Sequence, residues 1–131
     1  MINTSKFLGI KFVNGGRSST ECDCWGLVML VMQEFDKMVP DFNISCYDSR
    51  DIHSMKCFIE DKFIKTNNPD KAIIVAINLD RSHPSYTQHF GVCLNNRQFI
   101  HILEKHGVLI SKIDDKFFKN IIAGYYSWNS P

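Results

Sequence analysis

The period of the apolar positions changes once along the chain, dividing it into a helical front and a stranded back. After the turn-rich stretch Asn14-Gly15-Gly16-Arg17-Ser18-Ser19-Thr20, an apolar run extends from Trp25 to Phe35. Leu27, Val28, Val31 and Phe35 recur at helical spacing, which predicts a helix from about Cys24 to Lys37. Asp23 is placed to cap its start, and Pro40 falls just past its end. Ile52, Met55, Ile59 and Phe63 predict a second amphipathic helix over about Asp51–Lys65, broken by Asn67-Asn68-Pro69-Asp70. Asp41–Arg50, between the two helices, reads as irregular.

From there the pattern is that of strands. Ala72–Leu79 is a short apolar run of the kind a buried strand shows. Arg81–Gln88 reads as a polar loop. His89–Leu94 and Gln98–Leu103 form a hairpin around Asn95-Asn96-Arg97. Val108–Ile113 follows the Gly107 turn, a helical turn is expected near Asp114–Asn120, and Ile121–Trp128 is the last strand. Helices first and hairpin-linked strands afterwards predict an α+β fold, with N-terminal helices packed on a mainly antiparallel sheet.

Composition narrows the function. The chain has 131 residues, 44% hydrophobic and 22% charged, which fits one folded domain over residues 1–131. Lys plus Arg is 15 and Asp plus Glu is 14, so a net charge of +1 gives no global field to attract nucleic acid or an anionic membrane. The longest apolar runs, Trp25–Met32 and Ala72–Ile77, fall short of the roughly 18 residues of a membrane span. Met1–Gly9 holds no apolar core of signal-peptide length, so the expectation is synthesis in the cytosol, with any release by another route.

The five cysteines, Cys22, Cys24, Cys46, Cys57 and Cys93, are an odd number, and reduced thiols are the expectation in that compartment. Cys57 and Cys93 are expected in the core, Cys46 in a loop, and Cys22 exposed ahead of the first helix. Cys24 stands at the first turn of that helix. The N–H groups there favour thiolate, and a nearby imidazolium would favour it further, while the Asp23 carboxylate acts against it. Gly26 leaves room for the helix to press against a neighbouring sheet. Position alone does not separate a nucleophilic Cys24 from one more small core residue.

A cysteine nucleophile needs a base, and the base needs an orienting group. His89 and His101 stand on adjacent predicted strands; His53, His83 and His106 lie on a helix face or in loops. Parity decides whether the first two can meet. A two-residue turn pairs His89 with Ile102 and sends His101 to the other face. A three-residue turn at Asn95-Asn96-Arg97 pairs Gly91 with His101, and the two histidines become diagonal neighbours on one face, with Gly91 clearing the space between. Cys22-x-Cys24 with the same histidines could instead hold zinc, although a C-x-C pair suits a tetrahedral site poorly. No G-x-S-x-G, Walker A or G-x-G-x-x-G segment is present.

Taken in order, Phe12-Val13-Asn14-Gly15-Gly16, Asp23-Cys24-Trp25-Gly26-Leu27-Val28, His89-Phe90-Gly91-Val92 and Phe99-Ile100-His101 resemble the NlpC-type cell-wall cysteine peptidases, a papain-like family. The resemblance extends over nearly the whole chain, to Tyr126-Ser127-Trp128. It implies hydrolysis of peptidoglycan stem peptides, typically between D-γ-glutamate and a diamino acid. Cys24 would be the nucleophile, His89 the base and His101 the third, polar member; Phe12, Asp23 and Trp25 would contact substrate. No metal or cofactor is implied. Trp25 after the cysteine is similar to the phage-tail and prophage branch, so tail proteins are implied as partners and the virion tail as a destination. The chain departs from the pattern in Phe12, where a hydroxylated or indole side chain is usual, in Pro69-Asp70 for Gly-Asp, and in the extra Cys22. A non-catalytic tail subunit of the same fold, or an amidase or acyltransferase on the same Cys-His scaffold, are the alternatives.

Overall fold

A computed structural model describes residues 2–41, 52–79 and 89–129. The polar loop expected over 81–88, and all of the irregular stretch 41–50 except Asp41, lie outside the described residues. The chain opens with a 3₁₀ turn, Thr4–Phe7, capped by the Asn3 side chain. Two short strands, β1 (Lys11–Phe12) and β2 (Glu21–Cys22), pair in parallel around the Gly-Gly loop. Helices α1 (Cys24–Glu34) and α2 (Ile52–Lys62) follow. Next come β3 (Ile64–Thr66), β4 (Ile73–Ile77), β5 (His89–Cys93), β6 (Gln98–Leu103), β7 (Gly107–Lys112) and β8 (Ile122–Ser127). These six form one antiparallel sheet in the order β3-β8-β4-β5-β6-β7.

The α+β architecture matches the expectation, and two local differences have identifiable causes. Helix α1 stops at Glu34 instead of Lys37, because Asp36 turns to a left-handed φ of 61°. The N–H groups of Phe35 and Lys37 then both bond the Met32 carbonyl, closing the helix before its apolar period ends. The second helix ends at Lys62, and Ile64 and Lys65, expected at its end, form strand β3 with Thr66 against β8. Phe63 explains the switch: it is buried and packs against Trp128 with ring centroids 4.9 Å apart, which leaves the β-branched residues after it alongside the edge of β8. The stretch after β7 is a set of turns, with Phe118 and Lys119 donating to the Asp115 carbonyl. These turns seat Phe118 under the sheet.

The sheet is covered on both faces, which is why β4 reads as an unbroken apolar run. Ile74 and Ala76 join the larger core with Leu27, Val28, Val31, Met55, Ile59, Phe90 and Ile100. Val75 and Ile77 face the other way, toward Cys93, Phe99 and Phe118. Among the described residues no helix is long and apolar enough to cross a membrane.

Candidate active site

The site begins where the Gly-Gly loop enters α1. Asp23 caps the helix, its Oδ1 accepting from the Gly26 N–H at 2.9 Å. The same oxygen accepts from Arg17 Nη1 at 2.6 Å, and Oδ2 accepts from the Gly15 N–H at 3.0 Å. Arg17 also donates to the Gly16 carbonyl at 2.8 Å and, through Nε, to Asp41 at 3.1 Å. The carboxylate next to Cys24 is thus fully buried and fully spent, and its charge is matched by a guanidinium that the sequence did not single out. Close approach makes this corner possible. A Cβ on Gly26 would stand 2.6 Å from the Gly16 carbonyl and 2.8 Å from Cys22 Cβ. The glycine therefore admits the loop and β2, a strand of the small two-stranded sheet beside the helix.

Trp25 lies in the core. Its ring meets Phe58, Phe63 and Phe90 edge-on at centroid distances of 5.7, 5.7 and 5.2 Å, and its Nε1 donates to the Pro40 carbonyl at 3.0 Å. Of the three residues expected to touch substrate, Asp23 and Trp25 are wholly buried and only Phe12 is part-exposed. Capping and packing account for the first two. The Trp25–Phe90 contact also ties the residue after Cys24 to the residue after His89, and α1 packs on both β5 and β6.

On the sheet, Val92 pairs with Ile100 and Cys93 with Phe99, and the Leu94 N–H donates to the Gln98 carbonyl. The turn therefore has three residues, Asn95-Asn96-Arg97. Asn95 Oδ1 holds it, accepting from the Arg97 and Gln98 N–H groups at 2.8 Å each. Extending that register by one residue sets Gly91 opposite His101, where a Cβ would meet the Ile100 carbonyl at 2.8 Å and His101 Cβ at 3.1 Å. His89 and His101 share one face, and His89 Nε2 lies 2.8 Å from His101 Nδ1. Both are buried, and burial lowers both pKa values, that of His89 well below 6.5 and that of His101 to about 4. His101 adds a smaller Coulombic lowering to His89. Both rings are therefore neutral at pH 7. His89 Nδ1 is buried and has no hydrogen-bond partner among the described residues.

Three further groups surround His101. His101 Nε2 lies 2.8 Å from Ser111 Oγ on β7, and the His101 ring packs against Phe99 and Phe118 at 4.6 and 5.1 Å. Ser111 was not singled out from the sequence, yet the signal was there. Leu103 pairs with Gly107 across another three-residue turn, which places Ser111 opposite Phe99 and diagonal to His101. A zinc site does not fit this arrangement. The facing histidine nitrogens are spent on each other, and among the described residues no three metal-ligating side chains converge.

The thiols depart from expectation. Cys24 stands in a disulfide, so this structure holds its oxidised form, and Cys22, Cys57 and Cys93 take no part in that bond. Cys22 is buried where an exposed loop thiol was expected, because β2 turns its side chain inward against Gly26. Burial, then the Asp23 charge, push its pKa up to about 12, with Arg17 pulling the other way. Cys57 is exposed where a core residue was expected, because it lies off the α2 face that Met55 and Ile59 bury. Cys93 is buried as expected, its thiol likewise pushed up to about 12.

Residues 9–126 match the sequence model of the NlpC/P60 family. The chain belongs to the NlpC/P60 family. Solved structures agree on the papain-like fold. An NLP/P60-family protein similar to a lipoprotein, from Staphylococcus aureus subsp. aureus Mu50, matches with a TM-score of 0.65 at 17% identity, over 96% of this chain and 39% of that one. NlpC2 from Trichomonas vaginalis matches with a TM-score of 0.66 at 16% identity, over 95% and 44%. An NlpC/P60 family protein from Bacillus cereus ATCC 10987 gives 0.66 at 16%, over 93% and 36%. This NlpC/P60 chain spans less than half the length of those structures. Among curated proteins, none matches it significantly by sequence. The family is generally one of cell-wall peptidases.

Proposed function

We propose that the chain, as a single NlpC/P60 domain, is a cysteine peptidase that cleaves peptidoglycan stem peptides at the D-γ-glutamyl–diamino acid bond. The observation that carries this reading is the buried, neutral His89–His101 pair, with His89 Nδ1 unpartnered among the described residues, on strands packed against the helix that begins at Cys24. With Cys24 reduced, His89 Nδ1 takes the thiol proton and the sulfur attacks the scissile carbonyl carbon. The helix N-terminus at Cys24, with its backbone N–H, stabilises the oxyanion. Collapse of the tetrahedral intermediate breaks the C–N bond, and His89 returns its proton to the leaving amine. Water, deprotonated by His89, then hydrolyses the thioester and frees the thiol. His101 keeps His89 oriented, and no metal or cofactor enters.

Digestion of purified peptidoglycan by the reduced protein, with mass analysis of the products, tests this reading. Fragments ending at D-γ-glutamate, absent with Cys24→Ala, are expected; no release by the reduced wild type sinks it. The disulfide at Cys24 favours one second reading, a non-catalytic subunit that keeps the fold, and the same digest distinguishes the two. Association with a phage tail rests on Trp25 following Cys24, and would carry the protein from the cytosol to the wall.

A further inference from the structure

We propose that Ser111 is a positioning residue of this site: by accepting a hydrogen bond from His101 it holds the only proton arrangement in which His89 can serve as a base. The inference rests on the reading of His89 as the base and adds a requirement to it. His89 on β5, His101 on β6 and Ser111 on β7 form a diagonal across three adjacent strands, linked by two contacts of 2.8 Å. Hydroxyl and neutral imidazole can each donate or accept, so the chain has two possible polarities. In one, Ser111 donates to His101 Nε2, His101 Nδ1–H donates to His89 Nε2, and the neutral His89 carries its proton on Nδ1. No lone pair is then left there to receive a proton. In the other, His89 Nε2–H donates to His101 Nδ1 and His101 Nε2–H donates to Ser111 Oγ. Only this second polarity leaves His89 Nδ1 free to take a proton. Once it has, both nitrogens of His89 are protonated, and its Nε2–H can only donate toward His101. The proton gained at Nδ1 comes from the nucleophile and returns to the leaving amine, while those on His89 Nε2 and His101 Nε2 stay in place.

The surroundings make the last link count. Phe99 and Phe118 pack against the His101 ring, so its Nε2 has Ser111 as its hydrogen-bond partner on that side. His89 and His101 face each other, and the Asp23 carboxylate at the start of α1 has its charge held by Arg17. Without the hydroxyl, the His101 Nε2–H of the charged state is left without its acceptor in a buried place, and the imidazolium is disfavoured.

The experiment uses the full chain under reductant, with its histidines ¹⁵N-labelled. Wild type is expected to show His101 protonated on Nε2 and unprotonated on Nδ1; the opposite tautomer overturns the proposal without any substitution. In Ser111→Ala the tautomers should mix. The pH midpoint of Cys24 alkylation by iodoacetamide should rise by about one unit, and kcat/KM on stem peptide should fall about tenfold. Ser111→Thr, which keeps a hydroxyl, should restore most of both and decides the matter if the alanine variant fails to fold. An unchanged midpoint in Ser111→Ala, or no rescue by threonine, overturns the role of Ser111. His89→Ala separates this from the underlying reading: if it leaves Cys24 alkylation and hydrolysis unchanged, His89 is not the base and both fall. If it abolishes them while Ser111→Ala is indistinguishable from wild type, only the positioning role falls.

Discussion

At the scale of single residues, the question is which of several sulfurs can be ionised. Cys22 and Cys24 are two positions apart, yet their surroundings differ. Cys22 is enclosed beside an anion with its thiol held near 12, while Cys24 begins a helix. In the reduced protein at about pH 6, sub-stoichiometric iodoacetamide should therefore label Cys24 and leave Cys22 and Cys93 untouched, as read by peptide mapping. Labelling of Cys22 first would contradict this. Without reductant Cys24 should not label and hydrolysis should be absent, both returning with dithiothreitol. Asp23→Ala removes a helix cap and strands the Arg17 guanidinium, so it should cost about 2–4 kcal/mol in denaturant unfolding, more than the ~1 kcal/mol of an ordinary cap. Arg17→Met with Asp23→Asn should recover much of it. The cap at Asp23 was legible because capping is local chemistry. Arg17 was not, since its partners at Asp23 and Asp41 meet only after the loop folds back. Burial of Cys22 and exposure of Cys57 escaped for a related reason: which side of a two-residue strand, or of a helix with few apolar positions, faces inward is settled by what packs there.

At the scale of elements, turn length does the positioning. The three-residue turn at Asn95-Asn96-Arg97 puts His89 and His101 on one face, and the turn between Leu103 and Gly107 does the same for Ser111. This much was open to reading from the sequence, because the side-chain period of a strand is two and the hairpin arms were distinct. Strand β3 was not open in that way; its residues continue a helical pattern and become a strand only because β8 offers an unpaired edge. Gly91 is where the elements press hardest. Gly91→Ala should cost about 1–3 kcal/mol by overpacking against the Ile100 carbonyl, and should push the histidines apart. Urea unfolding reads the first effect, and loss of peptide hydrolysis by the still-folded fraction reads the second. Stability equal to wild type would mean that β5 and β6 are not so tightly apposed.

At the scale of the whole molecule, two neutral buried histidines couple folding to pH. Their folded pKa values lie below the unfolded value of 6.5, reaching about 4 for His101. As pH falls below about 6.5 the unfolded chain takes up protons that the folded chain refuses, so stability is full above that pH and declines from there toward pH 4. The slope approaches 1.4 kcal/mol per pH unit per histidine. Urea midpoints between pH 7.5 and 4.5 should follow this decline, with a shallower one in His101→Asn; equal slopes would mean that His101 is not held neutral. The fold as a whole was legible from its change of apolar period, and the facing histidines from the parity of the turn between their strands. The solvent-side end of the histidine chain was not. That end lies on β7, one of the two edge strands of the sheet, whose residues alternate between half-buried and exposed from Leu109 onward. Edge strands open by local fluctuation more readily than central ones. Amide hydrogens along β7 should thus exchange sooner than those of β5, and on warming, catalytic competence should fade before the cooperative melt of the core, because fraying of one marginal strand releases Ser111 while the rest of the sheet still stands.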